Sequence, residues 1–138
     1  MKNRVRAIII QESKVLLIKR VKPEMVYWVI PGGGTQENET METALQRECL
    51  EELGLKIKVG ELVFEMNSEK EETIGQREFF YLCTIIGGVL GSGSGPEYKQ
   101  DTNYVGQYVI EWIDIKNLPS CDLKPEEIKN FIYEKYLK

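Results

Sequence analysis

Residues 33–55 read GGTQENETMETALQRECLEELGL, and the rest of the chain is best interpreted outward from this stretch. Thr40 is a suitable N-cap for a helix, because its hydroxyl can accept a hydrogen bond from a backbone N–H of the first turn. Gly54 is a typical stop signal, since glycine readily adopts the left-handed conformation that ends many helices. The sequence therefore predicts a helix that runs from the Thr40 cap to about Leu53.

The predicted helix places acidic and apolar side chains on overlapping faces. At about 100° per residue, five apolar side chains fall in one broad sector: Met41, Ala44, Leu45, Cys49 and Leu53. Glu48, Glu51 and Glu52 fall within or beside the same sector. Like charges at this spacing destabilise a helix, and partial desolvation adds to the cost. Hard divalent cations such as Mg²⁺ or Mn²⁺ take oxygen ligands and would compensate these carboxylates. The alternative is an acidic helix face in contact with solvent.

Strand patterns lie on both sides of this helix. Runs of apolar and β-branched residues predict strands over residues 4–10, 15–21, 27–30, 55–66, 77–86 and 104–115. The first two are expected to form a hairpin. Pro31 and the three glycines after it are expected to end the third strand, because proline lacks a ladder donor and glycine permits positive φ.

The remaining segments complete the predicted architecture. Residues 67–76 are mostly polar and predict an exposed turn, whereas the five glycines in residues 87–95 predict a flexible loop. Pro125 opens a last helix whose acidic first turn suits the helix dipole. The element order ββ-β-α-ββ-β-α indicates an α/β fold, in which helices cover both faces of a mixed sheet.

Composition restricts the class of protein. The 138 residues are 42% hydrophobic and 29% charged, which is typical of one globular domain spanning residues 1–138. We expect neither a signal peptide nor a membrane partner, because no apolar run approaches the length of a membrane span. The net charge of −4 disfavours broad binding to nucleic acid.

Cysteine and histidine content restricts the chemistry. Cys49, Cys83 and Cys121 lie far apart in the sequence and are interpreted as reduced, mostly buried thiols of a cytoplasmic protein. The chain contains no histidine, which excludes histidine bases and histidine-ligated zinc. Any catalyst in this chain must work with carboxylates, Lys, Arg, Tyr or a metal.

One spacing identifies a family. Gly33 is followed after five residues by Glu39, and after seven more by Arg47-Glu48-Cys49-Leu50-Glu51-Glu52-Leu53-Gly54-Leu55. This pattern resembles the Nudix box, G-x5-E-x7-R-E-U-x-E-E-x-G-U, in which U is aliphatic. Every fixed letter is matched. Cys49 at an aliphatic position is the one departure, and a buried thiol is close to an aliphatic side chain in size and polarity.

The resemblance implies a single-domain Nudix-type α/β/α sandwich and a hydrolase activity. Nudix enzymes use water and a divalent metal to cut a phosphoanhydride in a nucleoside diphosphate linked to another moiety. A modified nucleoside triphosphate, cut to the monophosphate, is the leading interpretation of the substrate. The implied partner is a small nucleotide, and a homodimer is common among proteins of this type.

The resemblance also assigns roles to residues of the box. Glu48, Glu51 and Glu52 would ligate Mg²⁺ or Mn²⁺, and one of them would help to deprotonate the attacking water. Arg47 would hold a neighbouring glutamate by an ion pair, the alternative being a surface arginine. Gly33 would give its backbone carbonyl to the metal, the alternative being a turn glycine. Glu39 resembles a residue that braces the loop.

Outside the box the assignments are less specific. Lys19 and Arg20, at the end of a predicted strand, could bind substrate phosphates, although solvated strand-end charges are the simpler interpretation. Glu97 could add a carboxylate to the metal site. The aromatic residues are interpreted mainly as core or sheet residues, with stacking on a base as the alternative for one of them; they are Tyr27, Trp28, Phe79, Phe80 and Tyr81.

Three alternative functions would each have their own sequence features. A Nudix domain that senses a nucleotide without cutting it would show eroded carboxylates or an attached DNA-binding domain, and this chain shows neither. An isopentenyl diphosphate isomerase would need histidine ligands. An ADP-ribose or dinucleoside polyphosphate hydrolase remains an alternative, although its subclass proline or tyrosine is absent where residues 71–73 are Glu-Glu-Thr.

Overall fold

The computed structural model describes residues 3–68, 74–92 and 107–137. The chain divides into two compact units, one drawn from Met1–Ile9 and Pro31–Ser94 and the other from Ile10–Ile30 and Gly95–Lys138. The elements in chain order are β1 (Arg4–Gln11), β2 (Lys14–Val21), β3 (Val26–Val29), β4 (Gly32–Gly34), α1 (Met41–Leu53), β5 (Leu55–Asn67), β6 (Arg77–Gly88), β7 (Gln107–Asp114), a 3-10 helix (Ile115–Ser120), β8 (Leu123–Lys124) and α2 (Glu126–Tyr136).

The first unit combines a mixed sheet with α1. Residues 4–9 of β1 pair in parallel with β6, and the start of β1 pairs antiparallel with β4. β5 pairs antiparallel with β6. α1 packs against β4 and β5. Its buried residues are Ala44, Leu45, Cys49 and Leu53, as the helical periodicity predicts, whereas Met41 is only half-buried.

In its described residues, the second unit contains a mixed sheet, the 3-10 helix and α2. β2 pairs antiparallel with β3 and β7, and β3 pairs in parallel with β8. The predicted hairpin is confirmed, because the end of β1 pairs antiparallel with the start of β2 through a turn in which Glu12 and Ser13 both have positive φ. α2 packs on the 3-10 helix and β8 through the buried Ile128 and Ile132.

Both predicted ends of α1 are confirmed. The Thr40 hydroxyl accepts a hydrogen bond from the Thr43 N–H at 3.1 Å, which satisfies one of the donors left open at a helix start. Gly54 has φ 75°, and its N–H donates to the carbonyl of Leu50 at 3.0 Å. Helix propensity and capping therefore fix this element locally.

The sequence predicted that the glycines after Pro31 only end a strand. In the structure they also form a strand of their own. Residues 32–34 form β4, whose partners on β1 are Arg4, Val5 and Arg6. The pairing brings Gly32 so close to the Val5 carbonyl that an added Cβ would collide with it, and Gly32 has φ 146°. Glycine is required there because only glycine tolerates this approach and this conformation.

Several predicted boundaries shift. β6 continues through Gly87 and Gly88, which were predicted to open a loop, because both are paired with β5. Ser68 is buried rather than exposed, and its N–H donates to the Gln76 carbonyl. The 3-10 helix and β8 were not predicted, since both are too short to show a period. Residues 69–73, 93–95 and 104–106 of the predicted segments lie outside the described residues.

The three cysteines are free and buried, which confirms their interpretation as reduced core thiols. Burial raises the pKa of Cys83 to about 12 and that of Cys121 to about 11. Phe80 and Tyr27 are core aromatics, also as predicted. No helix in the described part of the chain is long and apolar enough to cross a membrane.

Candidate active site

The glycine segment β4 and the end of α1 meet through two glutamates. Glu52 Oε1 accepts a hydrogen bond from the Gly32 N–H at 2.8 Å. The carboxyl group of Glu48 lies against Gly33, because a Cβ added to that glycine would be 2.6 Å from Glu48 Cδ. The absence of a side chain at Gly33 thus creates the space that the Glu48 carboxylate occupies.

The side chain of Glu48 is less exposed than that of Glu51. Its side chain is 17% exposed, against 40% for Glu51. Burial raises the pKa of Glu48, and the neighbouring Arg47 opposes this shift by stabilising the charged form. A partly desolvated carboxylate of this kind gains more from a bound cation than an exposed one does.

Arg47 connects the loop before α1 to the carboxylates on α1. Its Nη1 donates to Glu48 Oε1 at 3.0 Å and to Glu51 Oε2 at 3.2 Å. Its Nη2 donates to the Gly34 carbonyl at 3.1 Å, and its Nε donates to Glu39 Oε2 at 2.7 Å. The planar guanidinium can make all these bonds at once because its donors point in fixed directions.

Glu39 holds the other side of this connection. It accepts from Arg47 Nη2 at 3.0 Å and from the Gln36 N–H at 2.7 Å. The hydrogen bond from Arg47 lowers the pKa of Glu39, because that bond stabilises its charged form. These contacts suit a residue that braces the loop, and they leave Glu39 turned toward Arg47.

The three glutamates predicted to bind metal therefore have different surroundings. Glu51 is directed to Arg47, whereas Glu48 and Glu52 both lie against β4. Within residues 3–68, 74–92 and 107–137, no three His, Cys, Asp or Glu side chains converge closely enough to hold a metal ion together. The assignment of Glu48, Glu51 and Glu52 as joint metal ligands stays a prediction.

The available donors fit a hard divalent cation in one common mode. Mg²⁺ in proteins is usually held by one or two carboxylates, with waters and substrate phosphates completing its shell. Glu48 and Glu52 supply two carboxylates beside the backbone of β4. The space that a Cβ at Gly33 would fill stays open to the Glu48 carboxylate.

Three charged residues of the first unit were missed by the sequence analysis. Arg6 Nε donates to Glu78 Oε1 at 3.0 Å, and both side chains are buried. Arg4 lies two residues earlier on β1 and is half-buried. The signal was present, because arginines at alternate positions of an apolar strand share one face of the sheet.

Lys19 and Arg20 lie on β2 in the second unit. The Lys19 ammonium is 5.5 Å from the centre of the Trp28 ring, and the Arg20 guanidinium is 4.3 Å from that of Tyr108. Trp28 Nε1 also donates to Glu111 Oε1 at 3.0 Å. Binding of substrate by these two cations stays a prediction, and Glu97 lies outside the described residues.

Comparison with known proteins gives consistent matches. A model of the NUDIX domain matches residues 1–134. An ADP-ribose pyrophosphatase of Methanocaldococcus jannaschii is 32% identical over 126 residues, covering 90% of this chain and 68% of that protein. An 8-oxo-dGTP diphosphatase of Buchnera aphidicola is 44% identical over 57 residues, covering 40% of this chain and 44% of that protein. The chain thus matches less than half of the Buchnera protein's length.

A solved structure supports the fold. The solution structure of the E. coli ORF135 protein matches with a TM-score of 0.65 at 26% identity, covering 93% of this chain and 84% of that one. Together with the mixed sheets and the helices α1 and α2, this match confirms the predicted fold class.

Proposed function

Because the chain belongs to the NUDIX family, we propose that it is a metal-dependent hydrolase that cuts a phosphoanhydride in a nucleoside diphosphate linked to another moiety. The observation that carries this proposal is the complete box from Gly33 to Leu55, with Glu48 and Glu52 brought against the glycine segment. These half-buried acidic groups are costly without a cation, which supports a metal-dependent function.

The chain's own residues divide the work. Glu48 and Glu52 would hold Mg²⁺ or Mn²⁺, with the Gly33 carbonyl as a further oxygen donor and Glu51 as an outer carboxylate. The bound metal supplies positive charge against the phosphates and lowers the pKa of water. Arg47 keeps Glu48 in place through its 3.0 Å bond and ties it to the loop through Glu39.

The same carboxylates lie where they can accept a proton. Burial raises the pKa of Glu48 in the metal-free protein, and a bound cation would act in the opposite direction. Glu52 is fixed by the Gly32 N–H, so its orientation does not depend on solvent. Either group could accept the proton of the attacking water in this arrangement.

For the substrate, we propose a modified nucleoside triphosphate that is cut to the monophosphate. The printed name of the Buchnera relative, an 8-oxo-dGTP diphosphatase, supports this choice. ADP-ribose is the second candidate, because the M. jannaschii relative is named an ADP-ribose pyrophosphatase. The match covers 68% of that protein's length. The predicted cytoplasmic location agrees with either substrate.

The test is a panel of nucleotides incubated with the protein and Mg²⁺ or Mn²⁺. It contains 8-oxo-dGTP, dGTP, ADP-ribose and a dinucleoside polyphosphate, and each product is identified by chromatography and phosphorus NMR. We expect cleavage of at least one compound, with formation of a nucleoside monophosphate that depends on the metal. The Glu48→Gln and Glu52→Gln variants distinguish true turnover from contamination.

The outcomes are separable. Release of monophosphate and diphosphate from 8-oxo-dGTP supports the triphosphate assignment, and release of AMP from ADP-ribose supports the alternative. If the wild-type protein binds nucleotides in the presence of Mg²⁺ but cuts none, it is a sensing module and the hydrolase proposal is wrong.

A further inference from the structure

Two arginines, Arg4 and Arg6, lie on one face of β1 near a single carboxylate, that of Glu78. In the parallel pairing of β1 and β6, Glu78 lies opposite Arg4. Nevertheless Glu78 accepts from Arg6 Nε at 3.0 Å, with side-chain exposures of 8% for Arg6 and 6% for Glu78. The buried carboxylate is therefore engaged by Arg6, and Arg4 makes no ion pair with it.

One donor of Arg4, its Nε, is buried and has no hydrogen-bond partner in the described part of the protein. A buried polar N–H without a partner is costly, and a functional role or a bound water or ion is among the explanations for such an atom in a native protein. Since arginine keeps its charge in proteins, the missing partner is expected to be an acceptor with negative charge.

The space next to Arg4 is open toward β4. A Cβ built on Gly34 would meet Arg4 Nη1 at 3.8 Å and, within the described residues, no other atom within 4 Å. Gly34 adjoins Gly33, against which the Glu48 carboxyl group lies. A ligand at β4 can therefore approach the guanidinium without displacing a side chain of Gly34.

The charges around Arg4 connect it to the candidate active site. Burial and the Arg6 charge lower the pKa of Arg4, whereas Glu78, Glu48 and Glu52 act in the opposite direction. Yet Glu48 Oε1 accepts from Arg47, and Glu52 Oε1 accepts from the Gly32 N–H. The two glutamates thus attract Arg4 while they bond to other donors.

We propose that Arg4 is a substrate-binding residue that donates hydrogen bonds to the diphosphate of the substrate. This inference rests on the proposed function, because it places a phosphoanhydride at Glu48 and Glu52. Arginine suits the task, since its planar donors match phosphate oxygens in a bidentate manner. The substrate would approach the Nη1 side of the guanidinium, which faces Gly34.

The test measures binding of imidodiphosphate, a diphosphate that resists hydrolysis, by calorimetry in the presence of Mg²⁺. Arg4→Met removes the donors and keeps the length of the side chain. The matched control is Arg77→Met, which removes an arginine of the same unit whose ion pair with Glu65 is exposed. We expect Arg4→Met to weaken imidodiphosphate binding at least tenfold, and Arg77→Met to leave it within twofold of wild type.

A second measurement separates phosphate binding from a structural effect. Mn²⁺ affinity without diphosphate, read by electron paramagnetic resonance, is expected not to fall in Arg4→Met, because no carboxylate is removed and the loss of a positive charge near Glu48 and Glu52 favours a cation. Equal losses of Mn²⁺ and imidodiphosphate affinity would mean that Arg4 acts through the carboxylates, and would overturn the proposal. Circular dichroism checks folding, and Arg4→Gln replaces Arg4→Met if the latter does not fold.

Two further outcomes overturn the proposal, and a third separates it from the proposed function. Wild-type affinity for imidodiphosphate in a folded Arg4 variant overturns the proposal, and so does failure of the wild-type protein to bind imidodiphosphate. If the wild type binds it and Arg4→Met does not, while the nucleotide panel shows no cleavage, then Arg4 binds diphosphate and only the proposed function is wrong.

Discussion

Glu52 Oε1 accepts the Gly32 N–H at 2.8 Å, so a carboxylate of the box is bonded to the backbone of β4. A glutamine at this position can still accept the same hydrogen bond, because its amide oxygen takes the place of the carboxylate oxygen. It cannot supply a full negative charge to a metal or accept a proton. The contact therefore allows the structural and chemical roles of Glu52 to be separated.

We expect Glu52→Gln to fold normally and to lose turnover by orders of magnitude on whichever nucleotide the wild type cuts. Glu52→Ala also loses the bond to Gly32, which is expected to lower the free energy of unfolding by about 1 kcal/mol. Urea unfolding and steady-state kinetics measure the two effects. Turnover by Glu52→Gln at the wild-type rate would remove this carboxylate from the mechanism.

The three glycines of β4 are expected to respond differently to alanine. Gly32→Ala should destabilise the fold by about 3 kcal/mol or more, because a Cβ would meet the Val5 carbonyl at a φ of 146°. Gly33→Ala should cost less stability, since the Glu48 carboxylate can move away. That movement should weaken Mn²⁺ binding by about tenfold or more.

Gly34→Ala serves as the matched control for this series. An added Cβ there makes ordinary contact with Arg4 Nη1 at 3.8 Å, so both stability and Mn²⁺ affinity should stay close to wild type. Thermal unfolding and Mn²⁺ titration give the two readouts. Equal Mn²⁺ affinity in Gly33→Ala and Gly34→Ala would contradict the placement of Glu48 against Gly33.

The predictable features are those with local causes. The bounds of α1 follow from its Thr40 cap and the left-handed Gly54, and its buried face follows from helical periodicity. Strand β4 could not be predicted, because its three glycines have no strand propensity and are paired only through distant β1. Tertiary pairing, rather than local preference, gives this segment its structure.

In the candidate site too, only part of the arrangement could be predicted locally. The box identified Glu48, Glu51 and Glu52, and their spacing predicted one joint metal site. The structure separates them because Arg47 bonds to Glu51 and Gly32 bonds to Glu52. Arg47 was expected to hold one glutamate, and its bonds to Glu39 and to the Gly34 carbonyl depend on how the loop folds back.

The buried pair of Arg6 and Glu78 predicts an asymmetry between single mutants. Glu78→Gln leaves the buried Arg6 without its carboxylate, and removal of one partner from a buried pair typically costs about 3–5 kcal/mol. Arg6→Met should cost less, because Arg4 lies opposite Glu78 in the strand register and can take over the carboxylate. Urea unfolding measures both variants, with Arg77→Met as the exposed control.

The double variant Arg6→Met/Glu78→Met completes this comparison. It replaces both charges by apolar groups, and we expect it to be more stable than Glu78→Gln, since no charge of the pair stays buried alone. If Arg6→Met is as unstable as Glu78→Gln, Arg4 does not take over the carboxylate. Arg4 would then contribute nothing to the stabilisation of the Glu78 carboxylate.

The Glu39–Arg47 pair predicts a dependence of stability on pH. The hydrogen bond from Arg47 lowers the pKa of Glu39 below its ordinary value of 4.5, so folding favours the charged carboxylate. This stabilisation is fully present above the pKa of the unfolded chain. It is lost as the pH falls through the lower pKa of the folded protein.

Glu39→Gln is therefore expected to lower the melting temperature at pH 7 and to differ less and less from wild type below about pH 4.5. Glutamine can still accept from the Gln36 N–H, so the change removes mainly the charged contact with Arg47. Circular dichroism melts at several pH values measure the difference. Glu65→Gln, in the exposed pair with Arg77, is the control and should change the melting temperature little at any pH. A difference between Glu39→Gln and wild type that is the same at pH 7 and pH 3 would show that the carboxylate's charge does not stabilise the loop.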